Sequence, residues 1–383
     1  MNIRTITWQN LDKKQFLTEY WQQKPLLIRQ AFNQFEDLLS PDELAGLACE
    51  PLIQSRLIYQ QNGKWQAESG PFEDYSHLGE KDWSLVLQAV DNWVPQVAAL
   101  TEAFDFLPDW RRDDVMVSFA TEGGSVGPHI DNYDTFICQG SGSRHWQVGD
   151  KGLHQQFSAH EMLLHVESFE AIIDEHLQTG DVLYIPPGYP HQGIALCPSM
   201  SFSVGFRTES AKEMLSSFAD HLIDEDLANQ LLTDPKRPAS SQQGLIDNQD
   251  LARIRQHLLS ALSNDNTLAH FCGKHLSEPK HALDAPEEPD DYSESQVIEL
   301  LAQMPLIRLE GLRCYYLEKT IEQGVIYLNG EIIELSNSVT NSIKNLCNKR
   351  QVQINDLADG LENTDFLSFL TTYINQGCWY FAN

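Results

Sequence analysis

The chain is short of positive charge: 26 lysines and arginines stand against 55 aspartates and glutamates, a formal net charge of -29. Such a surface repels nucleic-acid phosphates, so direct DNA or RNA binding is not expected. It attracts cationic partners and steers their approach. Solubility alone is sufficient reason for acidity, so charge by itself names no partner. The opening MNIRTITWQNLDKKQF lacks the apolar run of a secretory signal, and no segment reaches the ~18 apolar residues of a membrane helix. Both absences predict a cytoplasmic protein with no membrane association. None of the seven cysteines forms a CxxC pair. That argues against a disulfide framework and a structural zinc site, and leaves small buried apolar residues. Internal repeats and low-complexity tracts are also missing.

What is present divides the 383 residues into three stretches. In the first, LDKKQFLTEYWQQ (11–23), SPDELAGLA (40–48) and DWSLVLQAVDNWV (82–94) read as helices. LLIR (26–29) reads as a strand, and SRLIYQQNGKWQAESG (55–70) as a hairpin turning at Asn62-Gly63. Between 112 and 207 the pattern becomes short strands: 113–120, 135–140, 144–150, 171–177, 181–187 and 201–207. No helical crossovers intervene, which excludes a parallel α/β sheet and predicts a β-barrel or rolled sandwich. Beyond Arg207, segments 209–232 and 251–263 carry helical periodicity. A proline- and acid-rich linker (281–295) leads to a small α+β end with a hairpin at Asn329-Gly330. The expected division is 1–207, 208–285 and 286–383.

Two segments carry the chemistry. In GGSVGPHIDNYDTF (123–136), His129 and Asp131 lie two apart, so a strand turns both to one face. In GDVLYIPPGYPHQG (180–193), a strand and a rigid Pro-Pro-Gly turn deliver His191, 191 − 129 = 62 residues later. That separation allows several antiparallel strands and a return to the same barrel mouth. Two imidazoles and one carboxylate compose a facial triad that leaves three positions open on iron. An HxD alone is weak among 13 histidines; its pairing with strand-PPG-xx-H is what singles it out. His154, His160, His165 and His176 sit in ordinary polar contexts and read as surface residues. Arg144 lies on the strand after the HxD loop, sharing a face with Trp146 and Val148. A guanidinium there can clamp a carboxylate through two charge-assisted bonds; an exposed strand arginine is the plain alternative.

These motifs resemble the JmjC oxygenases of the cupin fold. FLTEYWQQKPLLIR, SPDELAGLA, GPFEDY, LPDWR, GPHIDNYD, EAIIDEHL and SVGFR extend the resemblance to the bacterial ribosomal oxygenases over nearly the whole chain. The resemblance implies an α+β protein with a double-stranded β-helix core, a helical dimerisation segment and a C-terminal winged-helix-like domain. It further implies a homodimer. Fe(II) would be held by His129, Asp131 and His191, and the cosubstrates would be 2-oxoglutarate, gripped by Arg144, and dioxygen. The implied reaction is hydroxylation of an arginine β-carbon in a basic large-subunit ribosomal protein. Ala120-Thr121 departs from the family pattern, leaving Ser118 and Thr121 as candidates to assist the cosubstrate carboxylate. Tyr133 and Asp134 are candidates for the substrate pocket. A lysine demethylase shares the triad, and a non-catalytic cupin scaffold shares the fold; the first lacks a visible aromatic cage, and the second would be favoured by a missing ligand.

Overall fold

The computed structural model describes residues 3–285 and 291–381. The expected linker (281–295) includes residues 286–290, which lie outside this description. The described residues form two units. One runs to Glu209 and includes Lys280–Asp284 and Leu309–Gly311; the other holds the remaining residues from Ser210 onward.

The first unit opens with α1 (Lys13–Glu19), whose N-cap Asp12 accepts from the Gln15 amide at 2.7 Å, followed by β1 (Leu26–Ile28). Helix α2 (Pro41–Leu47) begins behind Ser40, with proline in its first turn and a Ser40–Glu43 capping box. Strands β2 (Ser55–Gln61) and β3 (Lys64–Ser69) form the expected hairpin. Asn62 (φ 53°) and Gly63 (φ 73°) are both left-handed, as the tightest hairpin turn requires.

The helix expected over 82–94 is not formed. Trp83–Leu87 is strand β4, paired with β2 and followed by a short 3₁₀ turn at Val90–Asn92. Four of its five residues are buried, and a strand covered on both faces gives an apolar run with no period to separate it from a helix. Helix α3 (Pro95–Leu100) then leads to β5 (Arg112–Ala120).

Strands β6 (His129–Ile130), β7 (Asp134–Gln139), β8 (Ser143–Gly149), β9 (Gln156–His160) and β10 (Leu163–Val166) follow. The series ends with β11 (Ala171–Gln178), β12 (Val182–Ile185), β13 (Pro190–Ala195) and β14 (Ser199–Phe206). They build an eight-stranded sheet ordered β1-β12-β7-β14-β5-β4-β2-β3 and a four-stranded sheet ordered β11-β8-β13-β6. From β5 to β8 and again from β11 to β14, successive strands alternate between the two sheets, which is the double-stranded β-helix the resemblance implied. The β9–β10 hairpin was not foreseen.

Period-two alternation gives the strands of the large sheet two different faces. Leu57, Leu85, Val115, Val117, Phe136, Phe202, Val204 and Phe206 point into the main apolar core. Phe136 is fully buried among Phe104, Tyr184, Phe16 and Phe206, with ring centroids 4.6 to 5.7 Å away. Burial of one such ring contributes about 1.5–3 kcal/mol. Their sequence neighbours, Arg56, Ser84, Met116, Ser118, Thr135, Ser201 and Ser203, face a cavity instead.

In the second unit, α4 (Ala211–Asp224) and α5 (Asn248–Leu262) are shorter than or offset from the expected helices, and α6 (Asp265–Ser277) follows. Helix α6 packs on a three-stranded sheet, where Gly273 allows close approach to Tyr327: a Cβ there would lie 2.2 Å from the ring. Asn329-Gly330 turns the expected hairpin between Val325–Leu328 and Glu331–Glu334.

Candidate metal and cosubstrate site

The two-residue strand β6 pairs with β13 so that His129 and His191 stand directly opposite each other. Their ring centroids are 4.3 Å apart. Asp131 follows β6, and its Oδ2 lies 3.7 Å from His129 Nε2 and 3.6 Å from His191 Nε2. Among the described residues this is the one group of three potential ligands whose donor atoms lie within 4.8 Å of one another. Both imidazoles are oriented alike. His129 Nδ1 bonds to the Gly127 carbonyl at 2.9 Å and His191 Nδ1 to the Tyr189 carbonyl at 3.0 Å. A carbonyl can only accept, so each Nδ1 carries the proton and each Nε2 lone pair is free for a metal. The Pro-Pro-Gly turn is tied to the HxD segment by Gly188 N donating to Asp131 O at 2.9 Å.

Electrostatics suit a divalent cation. Burial opposes ionisation of Asp131, but the two imidazoles outweigh it and hold its carboxyl at about 2. Burial, reinforced by His129, pushes His191 down to about 4, so it is a neutral ligand at ordinary pH. At His129 burial opposes the charge, but the Asp131 charge and hydrogen bond outweigh it and raise the pKa, so a metal entering here would displace any proton from its Nε2. Two imidazole nitrogens and one carboxylate, all on one side, suit a first-row metal that keeps open positions for other ligands.

The site opens into a cavity of 520 Å³ between the two sheets, and Arg144 lines it too. Arg144 is 8% exposed. Its Nε donates to Ser199 Oγ (3.0 Å), one terminal nitrogen to Ser118 Oγ (2.9 Å), and the other to the carbonyls of Ser118 and Ser199 (3.0 Å each). Burial pulls the guanidinium down to about 10, still charged at neutral pH. Among the described residues no carboxylate pairs with it. A buried cation held only by neutral acceptors calls for an anionic guest. Three further buried polar atoms that lack partners, Thr135 Oγ1, Ser201 Oγ and Trp146 Nε1, belong to residues lining the same cavity. A small dicarboxylate with a keto group fits this set: one end at the His-Asp-His cluster, the other at Arg144.

The remaining expected residues fall on both sides of the line. Ser118 lies at the Arg144 end, whereas Thr121 bonds to the Trp83 backbone at 3.2 Å and does not line the cavity. Tyr133 lines the cavity, and burial followed by the Asp131 charge raises its phenol well above the usual value. Asp134 has the opposite parity on β7. It is fully buried, accepts from Tyr184 Oη (2.5 Å) and Gln22 Nε2 (2.9 Å), and is not among the cavity residues. Sequence reasoning missed Thr135, Ser201 and the acidic pair Asp113-Asp114 at the cavity wall. His165, read as a surface residue, is 2% exposed and also lines the cavity. On β8, Arg144 and Trp146 face inward as alternation required, while His145 turns outward to Asp174.

Comparison with known proteins places this geometry. Residues 99–214 match the family model described as JmjC domain, and residues 253–380 the one described as ROXA-like winged helix. The chain is 41% identical over 379 residues to the ribosomal protein uL16 3-hydroxylase of Escherichia coli, covering 98% of each. The X-ray structure of E. coli YcfD superposes with a TM-score of 0.91 at 40% identity, covering 99% of this chain and 100% of that one. The same ribosomal oxygenase in complex with cobalt and 2-oxoglutarate gives 0.89 at 39%, over 99% of both. The chain therefore belongs to the JmjC-domain family of bacterial ribosomal oxygenases.

Proposed function

We propose that this protein is an Fe(II)- and 2-oxoglutarate-dependent hydroxylase of a large-subunit ribosomal protein, uL16, acting at the β-carbon of an arginine. One observation carries the reading: a His-Asp-His cluster and a buried arginine with no protein carboxylate share a single cavity. His129, Asp131 and His191 would hold the iron and Arg144 the far carboxylate of 2-oxoglutarate, with Ser118 and Ser199 fixing the guanidinium. When bound, iron and 2-oxoglutarate supply oxidative decarboxylation to succinate, coupled to insertion of one oxygen atom from dioxygen into a C–H bond. The chain orients these groups and keeps them in an enclosed space. Asp113 and Asp114 bring negative charge to the cavity wall, beside Tyr133, where a substrate guanidinium would enter. The net charge of -29 favours approach of a basic ribosomal protein over free nucleic acid. No helix in the described residues is long and apolar enough to cross a membrane.

The deciding experiment is mass spectrometry of ribosomal proteins from wild-type and deletion cells. A uL16 arginine heavier by one oxygen should disappear on deletion, return with the wild-type gene and stay absent with His129→Ala. Identical spectra from both strains would remove uL16 as the substrate.

The assembly in which this occurs is, in our reading, a homodimer through the helical segment. Leu251, Ile254 and Leu258 form an exposed stripe on α5, 40–66% accessible, with Leu215 and Ile223 exposed on α4. Monomeric surfaces rarely leave so much apolar area open. A double charge substitution, Ile254→Asp with Leu258→Asp, is expected to convert the dimer to monomer in light scattering. A wild-type chain that is monomeric at micromolar concentration would refute the assembly.

A further inference from the structure

We propose that His165, which is outside the ligand set, is a positioning residue for the metal ligand His129, and that through it the β9–β10 hairpin is tied to the metal centre. The inference rests on the metal site proposed above. Its basis is the loop Val126-Gly127-Pro128, whose three consecutive carbonyls are all engaged. Val126 O accepts from His165 Nε2 at 3.0 Å, Gly127 O from His129 Nδ1 at 2.9 Å, and Pro128 O from Val166 N at 2.9 Å. Two of these grips come from adjacent residues of β10. They flank the one carbonyl that sets the proton position and ring angle of the ligand.

The packing around His165 leaves it little freedom. Its ring is T-stacked on Trp65 of β3, with centroids 4.8 Å apart, and lies 6.2 Å from Phe157 of β9. Gly127 has φ of +84°, and a Cβ there would sit 2.2 Å from His165 Cε1 and 2.3 Å from Nε2. The imidazole therefore fills the space that the glycine leaves, and the carbonyls on either side of Gly127, those of Val126 and Pro128, are each held by a hydrogen bond from β10. A carbonyl acceptor requires the proton on Nε2, so an aromatic ring of similar size without that N–H keeps the packing and loses the grip.

Outer-shell partners of metal-bound histidines are worth 10–100-fold in metal affinity. His165 acts one bond further out, and the low end of that range is expected.

The test is titration of the full-length chain with Co(II), followed by tryptophan fluorescence, alongside thermal melts of the metal-free protein. His165→Phe should weaken Co(II) binding about tenfold, while His165→Gln, which keeps a side-chain N–H at similar reach, should return to within about threefold of wild type. The metal-free melting temperatures of the two variants should agree. His165→Leu serves as the second donor-free variant should phenylalanine prevent folding. Binding by the donor-free variant within twofold of wild type overturns the positioning role. So does equal loss in His165→Gln and His165→Phe, which would mark a packing effect only. A His129→Ala control separates the premises: if it binds Co(II) as tightly as wild type, the metal site itself is misassigned and this inference falls with it.

Discussion

His191→Ala is expected to abolish hydroxylation and to weaken metal binding by more than about 100-fold, because loss of supporting contacts alone costs 10–100-fold and here a ligand itself is lost. His191 is the most enclosed of the three proposed ligands, 3% exposed, and its Nδ1 is committed to Tyr189 O. The methyl group that replaces it offers no donor atom, and β13 cannot shift to bring another without leaving its register with β8 and β6. Isothermal titration with Mn(II) or Co(II) checks affinity; mass spectrometry of a uL16 fragment incubated with iron, 2-oxoglutarate and air checks the reaction. Retention of more than a tenth of wild-type affinity would mean that the ion sits elsewhere. The fold should survive, since metal-ligating side chains are absent from the main apolar core.

Arg144→Met should separate cosubstrate binding from folding. The substitution takes away the proposed cationic partner of the 2-oxoglutarate carboxylate, a loss of about 2–5 kcal/mol, or roughly 30- to 4,000-fold in affinity. In the free protein the sign is different. Removing an uncompensated buried cation relieves desolvation, while the hydroxyls and carbonyls of Ser118 and Ser199 lose a donor, and the two effects offset. The metal-bound variant should therefore melt near the wild-type temperature but gain none of the upward shift that 2-oxoglutarate gives wild type. Thermal melts with and without 2-oxoglutarate make the comparison. An unchanged ligand-induced shift would show that another residue holds the carboxylate.

His129, Asp131, His191 and Arg144 could be singled out in the sequence as candidates because their signals are local: a two-residue spacing in an extended segment, a Pro-Pro-Gly turn, a basic residue on the next strand. The structure gathers all four around one cavity. What escaped detection depended on tertiary placement. Trp83–Leu87 looked helical because β4 is covered on both sides by other parts of the chain, and nothing local records that. Asp134 seemed a substrate candidate through its nearness to Tyr133, but one residue along a strand reverses the direction of a side chain. It belongs to a buried network with Tyr184, Gln22, Thr208 and Arg111. Ser201 and Ser203 alternate with Phe202 and Val204 as solvent-facing residues would. A polar face turned to a cavity has the same sequence pattern as one turned to water. His165 was passed over for a similar reason, since its aromatic neighbours come from β3 and β9 and from no adjacent position.

The two-faced strands of the large sheet have an evolutionary consequence. Residues of the main apolar core and residues that line the cavity occupy the same strands on opposite sides, with only small buried clusters, such as that of Ile58 and Val86, on the cavity side. Ser84, Met116 and Ser203 can be exchanged while Leu85, Val117 and Val204 remain as they are. The shape and polarity of the reaction chamber can thus drift one residue at a time, without passing through an unfolded ancestor. A lineage built on this scaffold is free to change what it accepts while the His-Asp-His end, fixed by a two-residue strand pairing in the smaller sheet, stays in place.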